Sequence, residues 1–281
     1  MQNPKLLVLG ASGRIGGILR KFWSFEQVSW QTRGIPEARS NPGWTRFDPL
    51  ADPDALAKAA SGCDAILCLA GVVMGRAGQG RELEDNITLG AAAVQAGAIS
   101  GARVFLASSA AVYGAQVGIS EENTALSPLS DYARAKVAME LRGAELGNEL
   151  GVQVCSLRIG NIAGVDAILG GWKPGFQLDQ FPDGRTPRRS YIGVVTLARV
   201  LGDLMLAKIL PGALNISAPG MLEMGTLLDA AGLAWVPRPA RQGAIKEVCL
   251  STRQLERFST LEKANAQELA QTLVKEWRVF S

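Results

Sequence analysis

The 281-residue chain contains no histidine. Imidazole acid/base chemistry and imidazole metal ligation are therefore excluded. The four cysteines (Cys63, Cys68, Cys155 and Cys249) form no Cys-x-x-Cys pair, and Cys68 and Cys155 sit in apolar runs where a thiol packs like a small hydrophobe. A zinc site would need scattered thiols and carboxylates, so no metal is expected. Charge is also sparse: 20% of residues are charged and the net charge is +3, which gives nucleic acid no basic footprint. No apolar run is long enough to span a bilayer, and residues 5–9 are too short for a secretory leader before the glycines begin. The expectation is a cytoplasmic protein that binds neither membrane nor nucleic acid.

Glycine, at 32 residues, and hydrophobic side chains, at 47%, are plentiful. The first supports tight turns and close backbone approach to a ligand, and the second a sizeable core. Short apolar stretches at 5–9, 28–32, 45–47, 65–69, 104–107, 152–157 and 214–217 read as strands. Helical stretches at 15–25, 52–60, 82–96, 130–150 and 190–207 separate most of them, with Asp52 and Ser130 as caps and Pro53 in the first helical turn. Buried strands alternating with helices predict an α/β chain with a doubly wound parallel sheet, Rossmann-like. After Arg158 the pattern loosens. Residues 170–184 read as a long glycine- and proline-bearing loop at a pocket or lid. Residues 218–281 read as two or three amphipathic helices with a short strand at 247–250. The expected organisation is a dinucleotide-binding domain over 1–165, to which 186–217 return, and a small C-terminal substrate lobe from 166–185 and 218–281.

Two motifs carry the chemistry. Gly10-Ala11-Ser12-Gly13-Arg14-Ile15-Gly16 follows a strand and opens a helix, so its backbone can cradle a pyrophosphate at the helix N-terminus. Tyr132 and Lys136 stand four residues apart on one helix face. An ammonium there is expected to lower the tyrosine pKa, fitting the phenol to trade a proton with an alcohol or ketone while a nicotinamide trades the hydride. The end of the second strand, Trp30-Gln31-Thr32-Arg33, lacks the acid that would hold an adenosine ribose. Arg33, helped by Arg14, can instead meet a 2′-phosphate, which favours NADP over NAD; the alternative is that both arginines are solvated. Asp48 is either a partner for the adenine amino group or a plain loop acid before Pro49.

Over about residues 4–217 the sequence resembles the extended branch of the short-chain dehydrogenase/reductase superfamily. The resemblance rests on the Gly10 loop, the 62–71 stretch ending in Ala70-Gly71, Asn86, Ser108-Ser109-Ala110-Ala111-Val112-Tyr113-Gly114, Tyr132 to Lys136, and Leu157-Arg158-Ile159-Gly160-Asn161. The serine stretch is most similar to the sugar-nucleotide 4-epimerases. The resemblance implies Tyr132 as general acid/base, Lys136 as its electrostatic partner and ribose ligand, and Ser109 as the hydroxyl that polarises the reacting oxygen, with Ser108 beside it. It further implies that Ala70, Gly71, Ile159 and Gly160 line the cofactor, and that Asn161 faces substrate. Tyr113 either lines the substrate pocket, the favoured reading, or only covers the sheet edge with its ring; Arg185, Arg188 and Arg189 either clamp a diphosphate or form a solvated basic loop. Related dehydratases carry an Asp-Glu pair where this chain has Ala110 and Ala111, so sugar dehydration is disfavoured. An epimerase, an NADPH-dependent carbonyl reductase and a non-catalytic NADP sensor remain as readings. The helices at 82–96 and 130–150 are the expected faces of a possible homodimer.

Overall fold

The computed structural model describes residues 3–34, 43–73 and 82–276. The chain runs β1 (Leu6–Leu9), α1 (Arg14–Phe22), β2 (Val28–Thr32), β3 (Trp44–Arg46), α2 (Pro53–Ala60), β4 (Ala65–Cys68), α3 (Asp85–Ser100) and β5 (Arg103–Ser109). A two-residue strand, β6 (Ile119–Ser120), precedes α4 (Asp131–Leu150), β7 (Val154–Ile159) and β8 (Asn161–Ile162). Then come β9 (Gln177–Gln180), β10 (Arg188–Arg189), β11 (Tyr191–Ile192), α5 (Val194–Leu206) and β12 (Ala213–Ile216). The remainder supplies β13 (Leu222–Glu223), α6 (Met224–Ala230), β14 (Val236–Pro239), β15 (Glu247–Leu250) and α7 (Ala266–Glu276).

Seven strands form one parallel sheet in the order β12-β7-β5-β4-β1-β2-β3. Strand side chains alternate faces, and the two faces bury different partners. Leu6, Val8, Leu67, Phe105 and Leu157 pack with Ile18 of α1 and with Leu197 and Leu201 of α5. Leu7, Leu9, Ile66, Val104 and Leu106 pack with Leu56 of α2, Val94 of α3 and Met139 of α4. Because both faces are covered, the strands are apolar at every position rather than at every second one.

Local chemistry sets the helix ends. The Asp52 side chain accepts from Ala55 N–H and the Ser130 side chain from Ala133 N–H. Gly101 and Gly151, both left-handed, end α3 and α4. Helix α1 stops at Phe22, short of the expected residue 25, because Trp23 turns extended and its indole N–H donates to Ala198 O at 2.7 Å.

The 170–184 stretch is not wholly loop. Residues Gln177–Gln180 form β9, which pairs in parallel with β14, Gln177 opposite Val236. Its partner lies far along the chain and contains two prolines, so neither segment shows a strand signature alone. A further apolar cluster joins Ile168, Leu169 and Leu178 to Leu227, Leu228 and Leu273. Beside it a four-stranded sheet runs β13-β10-β15-β6. Among the described residues no helix is long and apolar enough to cross a membrane.

All seven strands of the main sheet point the same way, so their C-terminal ends share one rim. The strand order reverses between β2 and β4 on either side of β1, and such a switch opens a crevice at that rim.

Candidate active site

Gly10 follows β1 with φ +77°, and a Cβ there would lie 2.6 Å from Ala70 N. A Cβ on Gly16 would lie 2.2 Å from Ala11 O, whereas Gly13, with its N–H bonded to Gly10 O at 3.0 Å, is only tightly flanked. These glycines fold the turn back on itself and bring Ala70 against it. Ser12, Gly13 and Arg14 are exposed, and Ile15 is half-buried. Helix α1 has neither a side-chain cap nor an acid in its first turn, so its leading N–H groups face the rim. Gln31, whose part the sequence did not disclose, braces the loop. Its side chain accepts from Gly10 N–H at 2.8 Å and donates to Phe47 O at 2.5 Å.

Three adjoining cavities follow the rim. The smallest, about 50 Å³, is lined by Arg33, Pro49, Gly71, Val72 and Leu89. The next, about 220 Å³, shares Gly71 and Val72 with it and adds Ile15, Ser108, Ser109, Tyr132, Lys136 and Ile159. The largest, about 600 Å³, shares Ser109, Tyr132, Ile159 and Gly160 and adds Asn161, Asp166 and Arg189 among mostly apolar walls. Its size suits a small-molecule ligand.

Ser109, Tyr132 and Lys136 meet where the two larger cavities join. Strand β5 ends at Ser109, which caps the short 3₁₀ turn Ala110–Tyr113 by accepting from Ala111 N–H at 3.2 Å. Tyr132 lies in the first turn of α4 and shares a hydrogen bond with Ser109. Lys136, only 4% exposed, donates to Ala107 O at 2.8 Å and stands 5.9 Å from the centre of the Tyr132 ring. A Cβ on Gly71 would come within 3.2 Å of its ammonium, so the missing side chain keeps that group open to the crevice.

The electrostatics differ from the sequence expectation in one respect. Burial pushes the Tyr132 phenol above its ordinary value, and the opposing influence is the Ser109 hydrogen bond rather than Lys136. Burial also lowers Lys136 to about 8, against weaker opposing pulls from Cys68 and Glu140. Desolvation therefore outweighs the hydrogen bond at Tyr132 and the charge interactions at Lys136.

The other candidate residues divide between those that line the cavities and those that do not. Tyr113 does not face the pocket: it is fully buried, donates to Asn215 Oδ1 at 2.8 Å and accepts from Arg158 at 2.9 Å. The turn after Ser109 carries its ring inward, beneath the cavity. Arg14 donates to Val165 O at 2.6 Å, on the wall of the largest cavity, so it does not join Arg33 at the smallest. Arg33 pairs loosely with Asp48 at 3.9 Å, and Asp48 also accepts from Leu50 N–H at 2.9 Å. Asn86 is a fastener, bonded to both backbone groups of Val72. Ser108 lines the middle cavity, but its hydroxyl is bonded to Glu140. Arg189 reaches the largest cavity while donating to the carbonyls of Arg188 and Ile245.

One further group, Asp166, had no sequence signal. Asp166 lines the largest cavity and accepts from Tyr191 OH at 2.9 Å, and Tyr191 also bonds Asn161. Burial raises the Asp166 carboxyl and pushes Tyr191 well above its usual range. Among the described residues no group of three cysteines, aspartates or glutamates is placed to hold a metal.

Solved structures share this fold. The chain is similar to UDP-glucose-4-epimerase from Stenotrophomonas maltophila with bound NAD, at 19% identity over 98% of this chain and 97% of that one, TM-score 0.81. It is similar to a UDP-N-acetylglucosamine 4-epimerase from Methanobrevibacter ruminantium, at 21% identity over 99% and 98% of the two chains, TM-score 0.80. The dTDP-glucose 4,6-dehydratase of Streptomyces venezuelae is similar at 20% identity over 97% of each chain, TM-score 0.75. No protein of curated function matches the sequence significantly. Residues 6–170, more than half of the chain, match the NAD dependent epimerase/dehydratase family, and the chain belongs to that family.

Proposed function

We propose that the protein catalyses hydride transfer at a hydroxyl-bearing carbon of a sugar nucleotide or related substrate, most simply as an epimerase. The observation that carries this reading is the meeting of Ser109, Tyr132 and Lys136 at the junction of the two larger cavities. The middle cavity fits the nicotinamide end of a dinucleotide, and the turn around Gly10 and Gly16, which side chains would fill, fits its pyrophosphate. Residues 166–185 and 218–276 would form the substrate lobe over the largest cavity; residues 277–281 of the expected lobe lie outside the described residues.

When bound, the dinucleotide supplies the hydride acceptor and donor. The residues of the chain manage the proton and the oxygen. Ser109 holds the substrate oxygen by a hydrogen bond, and Tyr132 takes or returns its proton. To take that proton Tyr132 must stand as a phenolate; burial opposes its ionisation, and the Lys136 ammonium, 5.9 Å from the ring centre, would offset part of that penalty. Asn161 and Arg189 line the same cavity and are suited to hydroxyls and phosphate oxygens. Ala110 and Ala111, next to Ser109, offer no acid to expel water, which speaks against a dehydratase.

A reductase using NADPH is the second reading, favoured by Arg33: its ion pair is long and its side chain is 56% exposed, so it can meet a 2′-phosphate without Arg14. Proton NMR on a panel of UDP- and dTDP-hexoses with NAD tests the primary reading. The expected result is a second epimer with no net NADH. Net oxidation of NADPH by carbonyl compounds instead would establish the reductase, and tight dinucleotide binding without turnover would establish a sensor.

A further inference from the structure

Beneath the active site lies a buried charge network that the proposed chemistry does not use. Glu140 and Arg158 are 6% and 8% exposed at their side chains. The guanidinium grips the carboxylate with Nη2 at 2.8 Å and Nε at 3.0 Å from Oε2. The same carboxylate accepts from the Ser108 hydroxyl. Arg158 also donates to Tyr113 OH at 2.9 Å and to Glu122 O at 2.8 Å. Tyr113 continues to Asn215, whose amide reaches Ser120 O and Ser251 O.

Glu140 stands four residues after Lys136, one turn on along the same face of α4. It thus touches the residue before Ser109 and neighbours the ammonium that serves Tyr132. Other groups face Lys136 from every side. On β4 there is the Cys68 thiol, on α4 the Tyr132 ring and Met139 sulfur, on β5 the Ala107 carbonyl, and across Gly71 the Asn86 amide. Burial holds Cys68 at about 11 and raises Tyr132, so both are neutral near pH 8. That leaves Glu140 as the one anionic side chain among these described neighbours.

We propose that Glu140 is a positioning residue of the active site: clamped by Arg158, its carboxylate fixes Ser108, and with it the seat of Ser109, and keeps Lys136 in its ammonium form. A buried ion pair is a poor device for stability alone, because desolvating two charges cancels most of their attraction. Its bond to Ser108, the neighbour of Ser109, and its charge acting on Lys136 give it a second task. The inference rests on the Ser109–Tyr132–Lys136 reading of the site, but not on which substrate that site takes.

The test reads Lys136 directly and needs no substrate. Protein labelled with 13C at the lysine ε-carbons is titrated by NMR, and Lys136 is assigned by the signal lost in Lys136→Met. Glu140→Gln alone strands a buried guanidinium, so it is paired with the double variant Glu140→Gln/Arg158→Met, which removes both charges together. Glu140→Asp retains the anion. The expected result is a Lys136 midpoint near 8 in the parent. It should fall by about one pH unit in the folded neutral variants and stay near the parent value in Glu140→Asp. An unchanged midpoint in the folded double variant would overturn the proposal and leave the pair a purely structural tie. A shifted midpoint in a protein that turns over no sugar nucleotide would uphold it while rejecting the substrate reading.

Discussion

Replacing Lys136 by methionine should change how stability depends on pH. The lysine is 4% exposed and its pKa falls from 10.5 in the unfolded chain to about 8 in the folded one. A difference of that size corresponds to about 3 kcal/mol between the two protonation states. The sign follows from proton counting. Between pH 8 and 10.5 the unfolded chain holds a proton that the folded protein has released, so parent stability rises with pH across that window relative to the variant. Below pH 8 lysine is charged in both states, the parent carries the full penalty, and the difference is flat. Above 10.5 it is neutral in both and the penalty is gone. Urea unfolding of both proteins from pH 7 to 10.5 measures the gap, because titration of every other group cancels in the difference. The stability of Lys136→Met relative to the parent should drop by about 3 kcal/mol over that range. Parallel curves would refute the reasoning and mean that the ammonium is solvated rather than buried.

Other substitutions separate the roles assigned to individual residues. Tyr132→Phe should lower turnover by about 10²-fold or more while leaving dinucleotide affinity near the parent value, as read by kinetics and fluorescence titration. Proton abstraction from substrate should strengthen as pH rises to about 8 and then level off, because the phenolate–ammonium pair holds one proton fewer than the fully protonated pair and as many as the neutral pair; a rate in the alcohol-oxidising direction that already falls through pH 8 would remove Lys136 from this step. Arg33→Ala should weaken NADPH binding about tenfold and NADH binding little; equal losses would remove Arg33 from the cofactor site. Tyr113→Phe leaves Arg158 and Asn215 each short of a partner, so it should cost about 1–2 kcal/mol in urea unfolding with turnover retained. Lost turnover at unchanged stability would return Tyr113 to the pocket.

Most of the main sheet was legible because its strands bury both faces and so appear as short apolar runs between helices. The strand at 65–68 and the helix opened by Ser130 are cases where burial pattern and cap chemistry agree. Strand β9 was not legible, since it exists only through pairing with a segment 59 residues further on. The trio proposed to be catalytic was readable as motif and spacing, and the fold added that the three side chains line adjoining cavities. Tyr113 illustrates the limit: a turn at Gly114, with φ +69°, directs the ring into a network whose other members, Glu140, Arg158 and Asn215, are scattered over the sequence. Arg14 shows the same limit, because its partner Val165 is 151 residues away. Depressed and raised pKa values were equally hidden, since they arise from burial, which no local pattern reports.

The central claim is that Ser109, Tyr132 and Lys136 serve a nicotinamide held across the rim of the sheet. A crystal structure of the protein grown with NAD or NADP tests it most directly. The pyrophosphate should lie on the Gly10–Gly16 turn, the nicotinamide ribose within hydrogen-bond reach of Tyr132 and Lys136, and the ring should face the cavity that holds Asn161 and Arg189. A dinucleotide bound away from that junction, or with its nicotinamide turned from Tyr132, would contradict it.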